Sequence, residues 1–211
     1  MSNIEEQSAI RELLTGIDGP IIVELGAHVG EEYGWLSALK PSKYIMVEPD
    51  HKNFCSMLLQ LPLPCPEGTW LLEAAISSHD GIGTFYESVN TQAHNRASGS
   101  TRKPTGHLKY FPEVTFSTPA TIRHKKLDTL AVERDITHID LLWVDIQGAE
   151  RDMITGGRET LARTRYMMIE AEPDVEMYEG QALKPELIAM LPGWEVVRDF
   201  GYNLLMRNEN L

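Results

Sequence analysis

The chain has 211 residues, 42% of them hydrophobic, and a formal net charge of −12. The length suits one globular domain, and the negative charge argues against a general nucleic-acid-binding protein, because phosphate contacts need clustered Lys and Arg. No apolar run approaches the roughly 20 residues of a membrane span, residues 1–6 lack the features of a signal peptide, and the two cysteines show no metal spacing, so we expect a cytoplasmic protein with reduced thiols.

The first part of the chain alternates between helical and strand patterns. Apolar residues recur at helical spacing in some segments and form short buried runs in others, with Gly and Pro between them. Such alternation is typical of parallel β-α-β units. The predicted elements are a helix over 4–14, a strand over 21–25, a helix over 31–39, a strand over 44–48, a helix over 50–60, and strands over 69–75 and 82–86.

Residues 88–118 have little periodicity and many Ser, Thr, Asn, Gly and Pro residues. A long structureless stretch inside a domain is usually a functional loop or disordered, and we predict a mobile lid over the ligand pocket of the domain. Residues 88–126 hold seven basic residues against one acid, Glu113. These charges favour an anionic ligand as the substrate under the lid, although a solvated basic loop that balances an acidic body explains them equally well.

The second part of the chain completes the predicted sheet. Strand patterns cover 121–124, 141–145 and 166–170, with helices over 127–132 and 148–161 between them. Two alternating segments around a Gly201-Tyr202 turn predict a final antiparallel hairpin. We therefore predict one α/β domain over 1–211, a doubly wound and mostly parallel sheet with a reversed edge, preceded by an N-terminal helix within residues 1–18.

The most informative segment follows the first strand, where Gly26 and Gly30 lie four residues apart. This layout is typical of a strand, a tight turn and a helix that bind nucleotide-like ligands. A dinucleotide fingerprint would place glycines where His28 and Glu31 stand. The acid at Glu31 would also repel a pyrophosphate at the start of the helix. A ligand with a positive centre and no phosphate fits better, which indicates S-adenosylmethionine (SAM); a turn that merely packs closely is the alternative.

Acids stand at the ends of three predicted strands, at Glu24, Glu48 and Asp145. Glu48 lies 18 residues beyond Gly30, close to the spacing at which an acid reaches ribose hydroxyls in a β-α-β unit. The alternative interpretation of Glu48 is a solvated acid at a strand end. The alternative interpretation of Asp145 is a cap of the following helix.

The segment IDLLWVDIQGAE over 139–150 resembles the IDLLKIDVEGAE signature of FkbM-type SAM-dependent methyltransferases. LDTL over 127–130, the serine-rich 98–100 and EAAIS over 73–77 are similar to further segments of that family, so the resemblance covers about residues 20–172. It implies a Rossmann-like, class I methyltransferase sheet of seven strands in the order 3-2-1-4-5-7-6. The cofactor-binding residues that we expect are Glu24, Gly26, Ala27, His28, Gly30, Glu48, Ala74, Ala75 and Ser98.

The resemblance implies SAM-dependent methylation, and we expect the acceptor to be a hydroxyl oxygen of a small molecule or sugar. Asp145 is the best-placed general base and Glu170 the second catalytic candidate. Together they could hold a divalent cation, which the sequence does not require. Trp143 and Gln147 replace a lysine and a glutamate of the family signature. These changes leave open a SAM-binding partner protein without activity; a nicotinamide-dependent oxidoreductase is the other alternative.

Overall fold

The computed structural model describes residues 2–93 and 95–211. The strands are β1 (Ile21–Leu25), β2 (Lys43–Val47), β3 (Thr69–Leu72), β4 (Ala75–Ile76), β5 (Gly81–Phe85), β6 (Ser88–Asn90), β7 (Val114–Phe116), β8 (Ala120–Lys125), β9 (Ile139–Val144), β10 (Thr164–Glu170), β11 (Trp194–Asp199) and β12 (Asn203–Asn208). The helices are α1 (Ile4–Leu13), α2 (Tyr33–Leu36), α3 (His51–Gln60), α4 (His107–Tyr110), α5 (Leu127–Glu133), α6 (Glu150–Gly156), α7 (Arg158–Leu161) and α8 (Lys184–Met190).

The main sheet has the strand order β11-β12-β10-β9-β1-β2-β3. Strands β3, β2, β1, β9 and β10 pair in parallel, whereas β12 runs antiparallel to both β10 and β11. This arrangement confirms the predicted mostly parallel sheet, its strand order and the C-terminal hairpin. Every residue of β1 and β9 is buried, as expected for central parallel strands that are covered on both faces.

Two apolar layers cover the sheet because side chains alternate along each strand. Ile22 of β1 packs with Ile10 of α1 and Met57 of α3 on one face. The next residue, Val23, belongs to the opposite layer, which includes Met153 of α6. The carboxyl ends of the parallel strands are thereby fixed between two layers of helices.

Several predicted boundaries differ from the structure. The helix predicted over 31–39 begins at Tyr33, since Gly30 has φ +84° and holds the preceding turn outside a helical conformation, and it ends in a 3-10 turn over Ser37–Leu39. The strand predicted over 69–75 ends at Leu72, and β4 pairs instead with β8 in a separate three-stranded sheet. The helix predicted over 148–161 is two helices, because Gly157 takes the non-helical φ −126°.

The expectation that residues 88–118 lack regular structure is wrong. They contain β6 and β7, which pair with each other, and helix α4. The sequence analysis also missed α8. Elements of three to seven residues carry too little periodicity to be recognised, and their stability comes from tertiary packing rather than from local propensity. Within the described part of the chain, no helix is both long and apolar enough to cross a membrane.

Candidate active site

A cavity opens where the carboxyl ends of β1, β2 and β9 meet. It encloses about 1150 Å³ of space between atoms, part of it open solvent. Ligands of open α/β sheets bind at this place, beyond the strand ends on either side of the point where the strand order reverses. Of the predicted site residues, the cavity is lined by Glu24, Gly26, Ala27, His28, Glu48, Ala74, Ala75 and Asp145.

The turn after β1 requires glycine at position 26. Gly26 has φ +82°, and a Cβ built on it would lie 1.7 Å from the backbone oxygen of Asp145. The backbone N–H groups of Gly26 and Ala27 both donate to Val47 O, at 2.9 and 3.0 Å. The turn therefore joins the ends of β1, β2 and β9 at the floor of the cavity.

Glu48 follows β2, and its side chain stabilises this turn through hydrogen bonds. Its Oε2 accepts a hydrogen bond from the backbone N–H of His28 at 2.8 Å, and its Oε1 accepts one from that of Asp50, also at 2.8 Å. Burial nevertheless raises the pKa of Glu48 to about 8. His28 contributes its backbone here and has φ +50°. Gly30 is not part of the cavity lining. A Cβ built on Gly30 would lie 3.2 Å from the side chain of Met57.

Glu24 lies in β1 with 1% of its surface exposed. Burial raises its pKa to about 8, and the nearby carboxylates of Glu32, Glu48 and Asp145 add to the effect. The hydroxyl of Tyr44 donates to Glu24 Oε2. The carboxyl group is therefore largely protonated at neutral pH and can both donate and accept a hydrogen bond at the cavity wall.

Asp145 lies directly after β9 and is held by Gln147. The amide Nε2 of Gln147 donates to Asp145 Oδ1 at 2.7 Å and to Glu170 Oε2 at 3.1 Å. Burial raises the pKa of Glu170 well above its usual range, and the charge of Asp145 raises it further. The Tyr178 hydroxyl lies 3.0 Å from Gln147 Oε1 and 2.9 Å from Ser98 O. Gln147 thus bridges the two catalytic candidates, of which only Asp145 reaches the described lining of the cavity.

Glu150, which keeps its place in the family signature, is buried at the start of α6. Its Oε1 accepts from the backbone N–H of Gly148 at 3.3 Å. Burial raises the pKa of Glu150 to about 7. Among the described residues, no group of three or more His, Cys, Asp or Glu side chains is arranged to hold a metal ion. The divalent cation stays a prediction.

An apolar wall lies on the far side of Glu48. Ala74 and Ala75 are buried and line the cavity together with Phe85. Ser98 lies outside the lining, whereas its neighbours Ala97 and Gly99 belong to it. The serine-rich loop therefore contributes backbone and small side chains to this wall.

The basic loop over residues 88–126 forms ion pairs with other parts of the chain. Arg96 lies 2.7 Å from both Asp50 and Glu87, and Arg102 lies 2.8 Å from Asp152. The hydrogen bond from Arg96 to Asp50 raises the pKa of the guanidinium. Among the described residues of the cavity lining, Arg96 is the one lysine or arginine.

A profile of the methyltransferase FkbM domain matches residues 24–204. The 2-O-methyltransferase NoeI of Sinorhizobium fredii (strain NBRC 101917 / NGR234) is 33% identical over 218 residues, which cover 100% of this chain and 88% of NoeI. The chain belongs to the FkbM methyltransferase family. It is accordingly a methyltransferase, and the family that the segment over residues 139–150 indicates is confirmed.

Solved structures support the same fold for this FkbM methyltransferase. The methyltransferase FkbM of Methylobacillus flagellatus KT has a TM-score of 0.56 at 13% identity, over 92% of this chain and 45% of that one. Monomeric WbdD has a TM-score of 0.55 at 10% identity, and the match covers 99% of this chain and 42% of WbdD. This chain thus spans less than half of either. Sp1610 of Streptococcus pneumoniae, in complex with S-adenosyl-L-methionine, has a TM-score of 0.50 at 10% identity. The match covers 100% of this chain and 75% of Sp1610.

Sequence analysis missed several residues of the FkbM methyltransferase site. Tyr178 comes from the segment before α8, where no motif marks it. Phe85 lies in β5, and Arg96 was counted only as a loop charge. Trp143 was noted as a departure from the family signature, and the structure places it in the cavity lining. The signal for Trp143 was available, since residues i and i+2 of a strand share a face and Trp143 precedes Asp145 by two.

The buried carboxyl groups predict how stability depends on pH. Glu24 and Glu48 have folded-state pKa values of about 8 against the ordinary 4.5, so the native state binds more protons than the unfolded state between those values. The free energy of unfolding should therefore fall as the pH rises through this window and level off above it. Urea unfolding at about pH 5.5 and about pH 8.5 measures the change, and Glu48→Gln should reduce it. An unchanged pH dependence in Glu48→Gln would contradict this account.

Proposed function

We propose that the cavity binds SAM and that the enzyme methylates a hydroxyl oxygen of a small-molecule or sugar-type acceptor. The observation that carries the proposal is the position of Glu48, whose buried carboxyl group lines the cavity beside the glycine turn. The SAM complex of Sp1610 supports the choice of cofactor. The relative NoeI is a 2-O-methyltransferase, which supports transfer to oxygen.

The residues around the cavity fit the parts of SAM. Glu48 suits the ribose, since a carboxyl group can accept from two vicinal hydroxyls while it keeps its bond to the turn. Ala74 and Ala75 offer a flat apolar surface to adenine. Gly26 allows the methionine portion to approach the backbone closely, and Glu24 faces the same part of the cavity.

Asp145 is the base that we assign to the acceptor hydroxyl. SAM supplies, when bound, a methyl group activated by its sulfonium. Gln147 binds one oxygen of the Asp145 carboxylate, and we assign the other oxygen to the acceptor proton. Positioning of this kind contributes roughly 7–11 kcal/mol to the lowering of a barrier. Glu170 stays the second candidate and supports Asp145 through Gln147.

A SAM-binding protein without transferase activity is the alternative that the Gln147 substitution favours. Its amide occupies the point where the two carboxylates meet, so a side chain that is charged in the family signature serves here as a neutral bridge. Retention of labelled SAM without transfer to any acceptor would support this alternative.

Substitution of Glu48 by alanine tests the cofactor site. A ribose hydroxyl left without its partner in the buried site costs roughly 1–3 kcal/mol, so we expect SAM affinity to fall about tenfold. Isothermal titration calorimetry measures the change. Glu67→Ala removes an exposed acid of the α3–β3 turn and should leave affinity unaltered. Wild-type affinity in a folded Glu48→Ala variant would remove the ribose assignment.

The lid over residues 88–118 remains a proposal and has its own test. Residues of this segment line the cavity, and Arg96 links it to Asp50 at the start of α3 and to Glu87 between β5 and β6. We expect hydrogen exchange in 88–118 to be fast in the free enzyme and slower with SAM and acceptor. Equally strong protection in both states would show that the segment is a fixed wall.

The acceptor remains the least defined part of the proposal. An anionic acceptor was one expectation from the basic loop. Arg96, the arginine in the described lining, already contacts Asp50 and Glu87, which leaves this expectation with little support. The absence of a nucleic-acid partner and the cytoplasmic location stay predictions.

A further inference from the structure

The amide group of Gln147 lies between the two catalytic candidates, at the place where a cation shared by two carboxylates would stand. Its Nε2 atom lies 2.7 Å from Asp145 Oδ1 and 3.1 Å from Glu170 Oε2. A primary amide carries two N–H donors, so each carboxyl group can receive one of them. The amide therefore uses both of its donors on this pair.

The orientation of the Gln147 amide follows from its neighbours. The Tyr178 hydroxyl lies 3.0 Å from Gln147 Oε1 and 2.9 Å from Ser98 O, and both of these atoms are hydrogen-bond acceptors. With Oε1 beside the hydroxyl, the N–H groups face Asp145 and Glu170. The reversed amide would set Oε1 against Asp145 Oδ1 at 2.7 Å, where two acceptors repel each other. Tyr178 therefore favours the orientation in which the amide donates.

The backbone around Gln147 is also held in place. Gln147 has φ +52° and Gly148 φ +88°, and the left-handed region is uncommon for a glutamine. The Ser100 hydroxyl donates to Gln147 O at 2.6 Å. The Tyr178 ring is 2% exposed and packs on the same turn, since a Cβ built on Gly148 would lie 2.8 Å from its Cδ2 atom. Tyr178 thus contacts both the turn and the amide that the turn carries.

A divalent cation does not fit between Asp145 and Glu170 in this arrangement. Hard cations bind oxygen atoms, whereas the group between the two carboxyl groups presents N–H donors. Entry of a cation would require the Gln147 amide to turn away, at the cost of its hydrogen bonds to both carboxyl groups and to Tyr178. The glutamate of the family signature would supply a third carboxylate at this position, and the glutamine of this chain does not.

We propose that Gln147 is a positioning residue that takes the place of a bridging cation between Asp145 and Glu170, and that Tyr178 orients its amide for this role. The proposal rests on the proposed function, because it takes Asp145 as the base. With Oδ1 bound by the amide, the carboxylate of Asp145 is held with its other oxygen towards the acceptor. Methyl transfer by this enzyme accordingly needs no divalent cation at this pair of carboxyl groups.

NMR of the side-chain amide tests the role of Tyr178 without any acceptor. In the ¹⁵N-labelled wild-type enzyme we expect slow solvent exchange of the Gln147 amide protons, whose signals are assigned by their loss in Gln147→Glu. Tyr178→Phe removes only the hydroxyl and should speed this exchange about fivefold or more, as for the loss of one hydrogen bond. The control Tyr202→Phe changes an exposed tyrosine of the β11–β12 turn and should leave the exchange unaltered. Unchanged exchange in Tyr178→Phe would overturn the proposal.

Titration with Mn²⁺ tests the relation to a cation, again without an acceptor. Gln147→Glu places a third carboxylate beside Asp145 and Glu170, so we expect it to bind Mn²⁺ at least about tenfold more tightly than the wild type does. Gln92→Glu adds the same charge at an exposed position after β6 and should bind Mn²⁺ no better than the wild type. Isothermal titration calorimetry measures the affinities. Equal Mn²⁺ affinity in the wild type and in folded Gln147→Glu would contradict the assigned role of the amide.

Methyl transfer to a sugar-type acceptor connects both results to catalysis. Wild-type turnover should be unaffected by EDTA, and its loss in EDTA would overturn the proposal. Tyr178→Phe should lower kcat about tenfold and leave the KM for SAM within about twofold, because Tyr178 lies outside the described cavity lining. A raised KM for SAM with unchanged kcat would assign Tyr178 to the cofactor site instead. Absence of transfer by the wild type, with the NMR and Mn²⁺ results as expected, would count against the proposed function alone, which separates the two failures.

Discussion

Gly26→Ala is expected to abolish SAM binding and to lower the free energy of unfolding by about 2–5 kcal/mol, because the substitution combines backbone strain with overpacking. The native φ of +82° is unfavourable for alanine, and its Cβ would lie 1.7 Å from the backbone oxygen of Asp145. Relief of that clash must separate the ends of β1 and β9. Calorimetric titration with SAM and urea unfolding measure the two effects.

Gly34→Ala is the matched control for the glycine turn. A Cβ at Gly34 meets nothing within 4 Å, and the residue lies in α2, where alanine is preferred to glycine by about 0.5–1 kcal/mol. We expect unchanged SAM affinity and equal or greater stability. Wild-type binding and stability in Gly26→Ala would show that the turn does not depend on the close approach of β1 and β9.

Asp145→Asn is expected to reduce turnover about a hundredfold or more, the range for loss of a general base, while the melting temperature and SAM affinity barely change. Asparagine keeps the shape of the side chain and can still accept from Gln147 Nε2. Burial and the charge of Asp145 raise the pKa of both Glu170 and Glu150, so both pKa values should be lower in the variant. Steady-state transfer of tritium from [methyl-³H]SAM to a sugar-type acceptor measures turnover.

Glu170→Gln separates the two catalytic candidates. Glu170 lies behind Gln147 and outside the described cavity lining, so we expect a smaller loss of turnover than in Asp145→Asn. A larger loss in Glu170→Gln would make Glu170 the base. Near-wild-type activity in Asp145→Asn would reduce Asp145 to a structural role.

Local patterns predicted the part of the site that is built from contiguous segments. The glycine turn follows β1 directly, and Glu48 directly follows β2, so strand ends and chain order placed Gly26, Glu48 and Asp145 at one edge of the sheet. The strand order itself came from the resemblance to a family. The parallel core could be predicted because its strands are continuous buried runs.

Contacts between distant segments could not be predicted in the same way. Tyr178 reaches Ser98 across 80 residues, and Arg96 reaches Asp50 across 46. Neither pair has a spacing that a periodic pattern reveals. The charge count over the loop correctly found basic residues there, but it did not show that Arg96 and Arg102 form ion pairs within the chain.

Equilibrium binding of [methyl-³H]SAM to the wild-type enzyme tests the central claim most directly. We expect one saturable site for which S-adenosylhomocysteine competes and NAD does not, since Glu31 and His28 stand where a dinucleotide fingerprint requires glycine. Absence of saturable SAM binding, or displacement of SAM by NAD, would contradict it.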